Sequence, residues 1–254
     1  MIRWARRLRQ GISDWATIGC SLLFSPRCAY CHAEIPEGDR DRFLCVDCLA
    51  RLGPATWHGC RRCGGEVLEC DFLPPHCPLC RDTPLKFDAA VTLGSYHAGL
   101  RDVVLRMKRP SHDALSVAIG RLLARQRREQ LLEHQADVVV PIPMFWARWL
   151  SRGINSPDIL ARCLGKSLGI AVRRDILVRH RNTLPQANLP PSRRFQNVRG
   201  AFRVRRPDAV NNARVLLVDD VLTTGATCSE AAKMLKQAGA ACVAVAVVAR
   251  AQGR

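Results

Sequence analysis

No apolar run in this chain of 254 residues approaches the roughly 18 to 20 that a membrane-spanning helix needs, so a transmembrane segment is not expected. A secretory leader is not expected either. Asp14 interrupts the stretch that would be its apolar region, and no small-x-small cleavage site follows. The expected compartment is therefore the cytoplasm, where thiols stay reduced and a disulfide framework has no support. Glycine and proline are modest at 17 and 15, and 48 % of the residues are hydrophobic, which excludes a disordered chain. Acidic residues are few, 22 against 39 Lys and Arg, for a formal charge of +17.

That charge invites a polyanionic partner, but its placement narrows the reading. Residues 1–85 are nearly balanced, with 11 basic and 10 acidic residues, whereas residues 86–254 hold 28 against 12. The basic residues are almost all arginine, 34 beside five lysines, a bias that base composition of the genome also produces. At the N-terminus, Trp4, Leu8, Ile12, Trp15 and Ile18 fall at helical spacing. Residues 1–24 thus read as a basic amphipathic helix that either docks on the protein's own surface or lies on a membrane surface.

Cysteine, by contrast, is abundant. Eight of the 13 form four C-x-x-C pairs: Cys28/Cys31, Cys45/Cys48, Cys60/Cys63 and Cys77/Cys80. The third pair follows the first by 32 residues and the fourth follows the second by 32, so C-x2-C-x13-C-x2-C occurs twice. Two thiolates separated by two residues grip one side of a tetrahedral ion, and a hairpin brings the second pair around. The expectation is a double zinc ribbon over residues 25–85 holding two structural Zn2+, paired sequentially rather than cross-braced. With sulfur at all four corners neither metal has an open position, so the ribbons are scaffold or docking surface. Eight thiolates and two Zn2+ lower the formal charge to about +13. Cys70 lies outside the frame; Cys20, Cys163, Cys228 and Cys242 read as ordinary buried cysteines.

Residues 86–254 read as an α/β domain. "FDAAVTLGSY" is a strand, and Leu100, Val103, Val104 and Met107 mark a helix that Pro110 ends. A longer helix is expected over 113–134, a buried strand at "ADVVVPIP", and a helix with Ser156 as N-cap, Pro157 in the first turn and Asp158 at the dipole, closed by Gly169. The last unit is strand 214–219, loop, helix 228–238 and strand 242–248, with Thr227 and Glu230 as a capping box and Gly239 as C-terminal cap. Such alternation implies a mostly parallel sheet flanked by helices.

In such sheets ligands sit beyond the carboxyl ends of the strands. "VLLVDDVLTTGAT", Val215 to Thr227, places Asp219 and Asp220 there. Burying a carboxylate costs on the order of several kcal/mol unless something pairs with it. Thr223, Thr224, Gly225, Ala226 and Thr227 then lead into a helix N-terminus, where free N–H groups and the dipole favour a phosphate. Acids beside a phosphate cradle suit a ribose 5-phosphate, whose hydroxyls partner the carboxylates. A P-loop is excluded because no Lys follows Gly225. A response-regulator receiver is excluded because only 34 residues follow Asp220.

"VLLVDDVLTTGAT" resembles the phosphoribosyl-pyrophosphate signature of type I phosphoribosyltransferases. The chain from about residue 25 onward is similar to the ComF family, through the zinc ribbons, "YHAGLRDVVLRMK", "VPIP…RGIN" and "RHRNTLPQANLPPSRRFQNVRGAF". The family's arginine loop usually reads R-G-F-N-Q; here Ile154 and Ser156 stand in place of the Phe and Gln. The resemblance implies a type I phosphoribosyltransferase fold. It implies that Asp219 and Asp220 hold the ribose hydroxyls directly or through Mg2+, and that residues 223–227 hold the 5′-phosphate. It further implies that the loop with Arg148 and Arg152 meets the pyrophosphate, and that Arg181 to Asn197 is a mobile hood. Arg181, Gln186, Arg194, Asn197, Lys108 and Asn155 match family positions. Three functions are compatible: Mg2+-dependent phosphoribosyl transfer to an unidentified acceptor, or hydrolysis of phosphoribosyl pyrophosphate; a non-enzymatic module for a phosphoribosyl group or the 5′-phosphate end of single-stranded DNA, in keeping with the family's association with DNA uptake; and a zinc-ribbon adaptor for a helicase or uptake-machinery protein, which can coexist with either. Nothing resembles a glutamine-amidotransferase half.

Overall fold

A computed structural model describes residues 26–36, 43–54, 57–67 and 77–251. The expected N-terminal amphipathic helix, Cys20 and Cys70 lie outside the described residues. In chain order the elements are α1 (Val46–Leu52), β1 (Ala89–Ser95), α2 (Ala98–Met107), α3 (Asp113–Gln126), α4 (Arg128–Glu133), β2 (Val138–Pro141), α5 (Trp146–Arg152), α6 (Ser156–Leu168), β3 (Ala171–Val172), β4 (Leu177–Arg179), α7 (Pro191–Val198), β5 (Phe202–Val204), β6 (Arg214–Leu222), α8 (Ala226–Gln237) and β7 (Cys242–Arg250). No described helix is long and apolar enough to cross a membrane.

Five strands form one sheet in the order β1-β7-β6-β2-β3, and every pairing is parallel. Both faces are covered, which is why the strands read as nearly continuous apolar runs. Successive side chains alternate between the faces. Val139, Leu216, Val218, Ala244 and Ala246 meet α2, α3 and α6 on one side, while Val138, Val140, Leu217, Val243 and Val245 meet α8 on the other. Helices α3 and α6 approach closely because Gly120 has no side chain; a Cβ there would sit 2.8 Å from the Cβ of Cys163.

The two cysteine units divide between these faces. Cys28, Ile35, Leu44, Cys48 and Leu52 join the core beneath α2 and α3. Cys63, Val67, Cys77 and Cys80 join the core on the α8 side, with Leu85 and Phe87. The second unit also covers the free edge of β1. The Ala90 N–H donates to the Arg61 carbonyl at 3.0 Å, and the Thr92 hydroxyl donates to the Gly64 carbonyl at 3.0 Å. An open strand edge would otherwise present unpaired backbone groups.

Four local expectations are corrected. The helix expected over 113–134 breaks at Arg127, whose guanidinium turns inward to the edge carbonyls of Thr92 at 3.0 Å and Leu93 at 2.8 Å. Satisfying that edge outweighs one helical turn. The N-cap of α6 is Asn155, not Ser156; the Ser156 hydroxyl donates instead to the Met107 carbonyl at 2.8 Å. Gly225, in the left-handed region, is the N-cap of α8, so Thr227 and Glu230 form no capping box. Glu230 accepts the Gly200 N–H at 2.7 Å instead. Finally, β6 runs to Leu222 and β7 to Arg250, because Val221 and Leu222 stay paired with Ala249 and Arg250. Gly169 and Gly239 do close their helices, with φ of 73° and 100°. The short antiparallel pair β4–β5 has no counterpart in the sequence reading.

Candidate functional site

The eight frame cysteines form two clusters, Cys28/Cys31/Cys45/Cys48 and Cys60/Cys63/Cys77/Cys80, and within each all four sulfurs lie within 4.8 Å of one another. A tetrahedral Zn2+ with Zn–S of about 2.3 Å sets its sulfurs about 3.8 Å apart. Cys31 and Cys45 are 3.6 Å apart, Cys63 and Cys77 3.6 Å, Cys77 and Cys80 3.7 Å, and Cys60 and Cys80 4.0 Å. The residues present therefore fit two structural zinc ions, and the pairing along the chain is sequential.

The acidic pair lies toward the carboxyl end of β6, with Asp219 three and Asp220 two residues before it ends. Asp219 opposes Val247 of β7, so its backbone is held in register by the sheet. The Asp220 N–H donates to the Asp219 Oδ1 at 2.9 Å, and the Cys228 thiol lies 3.7 Å from Asp219 Oδ2. Burial pushes the Asp219 carboxyl up to about 7; the Asp220 charge adds to this, and Lys108 and Arg179 pull against it. Lys108, which caps the end of α2, places its ammonium 3.3 Å from Asp220 Oδ2. Neighbouring acids that feel each other's charge cannot both ionise cheaply without such a cation.

The loop Thr223, Thr224, Gly225, Ala226, Thr227 turns directly into α8. Gly225 has φ 81° and ψ 0°, a conformation that costs other residues roughly 1 to 2 kcal/mol. A Cβ on it would meet Leu85 at 2.6 Å, with the Phe87 ring behind at 3.6 Å. The first turn of α8 leaves backbone N–H groups without intrahelical acceptors, aimed at the same opening as the positive end of the helix dipole.

Helix α5 and the segment after β4 are joined through Thr183, and Arg179 of β4 feels the Asp219 charge. Arg148 donates to the Thr183 carbonyl, and Arg179 donates to the Thr183 hydroxyl while stacking over Phe202 at 5.3 Å. Burial lowers the Arg179 guanidinium to about 10; Arg148 pushes the same way and Asp219 opposes it. Asn155 is buried and donates to the Ile142 carbonyl at 3.2 Å. Arg152 is exposed at the end of α5. The expected hood residues are joined chiefly to each other. Arg181 donates to the Asn197 carbonyl at 2.9 Å, the Asn197 amide to Gln186 Oε1 at 2.9 Å and to the Leu184 carbonyl at 3.0 Å, Gln186 to the Arg194 carbonyl at 3.3 Å, and Arg194 to the Leu189 carbonyl at 3.1 Å. These four side chains knit the segment into one unit around α7.

The structure thus brings Lys108 to the acids and Arg148 to the hood, and it adds three residues the sequence reading did not place. Arg179 interacts electrostatically with both Arg148 and Asp219. Cys228, taken as an ordinary buried cysteine, touches Asp219; Cys163 and Cys242 are only half-buried. Arg250 ties the loop from behind: its Nη1 donates to the Leu222 carbonyl at 3.0 Å and to the Thr223 carbonyl. The signal for Arg250 was present, since an arginine closing the apolar run "VAVAVVAR" must find acceptors.

Comparison with known proteins finds relatives for both parts of the chain. Residues 111–254 match the family model described as phosphoribosyl transferase domain, and residues 20–72 match the double zinc ribbon domain. The chain is similar to Competence protein F of Haemophilus influenzae, 29 % identical over 221 residues, covering 85 % of this chain and 93 % of the relative. It is similar to DNA utilization protein YhgH of Salmonella typhimurium, 31 % identical over 217 residues, covering 80 % and 94 %. Among solved structures, an allosteric regulatory enzyme of purine biosynthesis aligns at 27 % identity over 52 % of this chain with a TM-score of 0.35, and the aligned part spans a quarter (25 %) of that enzyme's chain.

Proposed function

The chain belongs to the phosphoribosyl transferase domain family, in the ComF group that joins this domain to a double zinc ribbon, and from that membership we propose that it binds phosphoribosyl pyrophosphate with Mg2+ and transfers the phosphoribosyl group. One observation carries the reading: two carboxylates and a phosphate-type turn share one strand-loop-helix unit at the carboxyl edge of a parallel sheet, with Lys108 against Asp220. Such an edge is where α/β sheets bind ligands.

In this reading Asp219 and Asp220 accept hydrogen bonds from the ribose 2′- and 3′-hydroxyls and are the residues that would hold Mg2+ with the substrate. Bound there, the metal supplies charge neutralisation of the departing pyrophosphate. Residues 223–227 offer N–H and hydroxyl donors to the 5′-phosphate. Lys108 neutralises the acids until the ligand arrives. Arg148, Arg152 and Arg179 furnish positive charge where the leaving group's negative charge develops, which lowers the barrier most in a site closed to water. The knitted hood, anchored through Thr183 by Arg148 and Arg179, supplies that closure. The work is assigned to the cytoplasm, whose reducing conditions keep the cluster thiols available for zinc, and the names of the relatives connect it with competence and DNA utilization.

A second reading is favoured by α5. Trp146, Trp149 and Leu150 lie at i, i+3, i+4 on this helix and are 65 %, 50 % and 66 % exposed, beside Arg148 and Arg152. Arginines interleaved with open aromatic faces suit single-stranded nucleic acid, where stacking contributes about 1 to 3 kcal/mol per base. The same cradle would then take a 5′-phosphate end without chemistry. One titration separates the two. Phosphoribosyl pyrophosphate with Mg2+ is expected to bind one-to-one in the calorimeter, and a 5′-phosphorylated single strand to leave that affinity unchanged. Displacement by the strand, with a salt slope near −0.7 per phosphate neutralised, establishes the second reading. No heat with phosphoribosyl pyrophosphate at any Mg2+ concentration overturns the first.

A further inference from the structure

The second zinc cluster and the phosphate loop share a wall. Arg250, the last residue of β7, is buried at 5 % exposure and enters no ion pair among the described residues. Its Nε donates to the carbonyl of Cys63, a member of the second cysteine cluster, at 3.1 Å. On the other side of the same guanidinium, Nη1 donates to the carbonyls of Leu222 at 3.0 Å, Thr223, and Ala251 at 2.5 Å. A single rigid fork therefore joins the backbone of a metal-cluster residue to the first residue of the loop. Only a guanidinium spreads donors over that many carbonyls.

A second route runs parallel to the first. Arg62, between Cys60 and Cys63, donates to the carbonyls of Phe87 and of Leu85, the latter at 2.7 Å, and lies 5.4 Å over the Phe87 ring. Leu85 and Phe87 are the side chains that face Gly225, and the Lys86 N–H donates to the Ser229 hydroxyl in the first turn of α8 at 3.2 Å. The knuckle that holds the metal thus fixes both ends of the loop, Thr223 through Arg250 and Gly225 to Ser229 through residues 85–87. The first cluster sits on the opposite face of the sheet and makes neither link.

We propose that the second zinc cluster positions the phosphate loop through Arg250, so that anion binding at residues 223–227 depends on metal in the Cys60/Cys63/Cys77/Cys80 site; this rests on reading that loop as the 5′-phosphate cradle. Arg250 is a positioning residue, with its guanidinium turned to carbonyls rather than to the ligand. Losing the metal releases the Cys63 carbonyl, Arg250 loses its fixed end, and the loop no longer presents its N–H groups together.

The test uses the full zinc-loaded chain, Arg250→Met, and Cys77→Ser/Cys80→Ser, which removes two ligands that Arg250 does not touch. Zinc per chain, amide hydrogen exchange, and calorimetric affinity for phosphoribosyl pyrophosphate with Mg2+ are measured on each. Arg250→Met is expected to keep both zinc ions, to exchange tenfold or more faster at residues 223–227 with α2 at the parental rate, and to bind at least tenfold more weakly. Cys77→Ser/Cys80→Ser is expected to reproduce the faster loop exchange with one zinc lost. If Arg250→Met melts outright, Arg250→Lys, which keeps the charge and the stem but cannot span the carbonyls, carries the same expectation. Unchanged exchange at residues 223–227 in these variants, or in the zinc-retaining Arg250 variants a rise spread evenly over the sheet and α2, overturns the proposal. A loop that loosens as expected in a protein whose parent never binds the ligand would instead count against the cradle, leaving the coupling in place.

Discussion

Replacing Gly225 by alanine probes whether the loop is held as described. Two costs add. At φ 81° an alanine forfeits about 1 to 2 kcal/mol relative to glycine. Its Cβ would also meet Leu85 Cδ2 at 2.6 Å. That atom is the end of a flexible side chain, but Leu85 is buried and the Phe87 ring stands behind the loop, so relief means an off-rotamer leucine at about 0.5 to 1.5 kcal/mol. The sum is about 1.5 to 3.5 kcal/mol, and a chain of this size loses roughly 2 to 4 °C of melting temperature per kcal/mol. Gly225→Ala should therefore melt about 3 to 14 °C below the parent with zinc content unchanged. If the alanine is instead accommodated by flipping the turn, the N–H groups of residues 226–228 are re-aimed, and affinity for phosphoribosyl pyrophosphate falls tenfold or more. Differential scanning calorimetry and titration on one preparation report both. A melting point within 1 °C or so of the parent's together with unaltered affinity would refute the reasoning, because a strained turn has only these two ways to take a side chain.

Elemental analysis should find two zinc ions per chain. Since Cys28 and Cys48 lie in one face's core and Cys63, Cys77 and Cys80 in the other's, chelation should lower the melting of the whole chain rather than release the ribbons alone; disulfides in place of zinc would contradict this. The raised Asp219 pKa gives a sign to test. A carboxyl that titrates near 7 when folded and at 3.8 when unfolded favours the folded state below about pH 4, and this contribution is lost as pH rises toward 7. Asp219→Asn should therefore match the parent near pH 4 and melt progressively above it up to neutral pH, and a constant offset across that range would contradict the assignment.

The zinc frame was legible because metal ligation imposes a spacing, and the same interval of 32 residues separates both pairs. The acid pair and its loop were legible because carboxylates at the end of an apolar strand demand partners. What escaped has no spacing of its own. Arg179 and Arg250 acquire their roles only when β4 and β7 are placed beside the loop, and β4 and β5, three residues each, are too short to show alternation. The capping box failed for a physical reason: Thr227 and Glu230 satisfy the pattern, but the turn at Gly225 starts the helix earlier and leaves Thr227 within it. Ser156 failed likewise, its hydroxyl drawn to the end of α2 by packing that local sequence does not encode.

The central claim is that Asp219 and Asp220 serve a ligand rather than the fold. Replacing both by asparagine removes a carboxylate–carboxylate repulsion, which raises the melting temperature at neutral pH, and also the partly exposed Lys108 pairing, which contributes about 1 kcal/mol or less, so the melting temperature should stay at or above the parent's. Charge-assisted hydrogen bonds to the ribose hydroxyls are each worth about 1.5 to 3 kcal/mol, so losing two should weaken phosphoribosyl-pyrophosphate binding roughly a hundredfold or more. Calorimetric titration and thermal melting of Asp219→Asn/Asp220→Asn measure the two quantities on one sample. Affinity lost with melting preserved or raised is the predicted result. Melting well below the parent's with affinity unchanged would make the pair part of the scaffold and contradict the account.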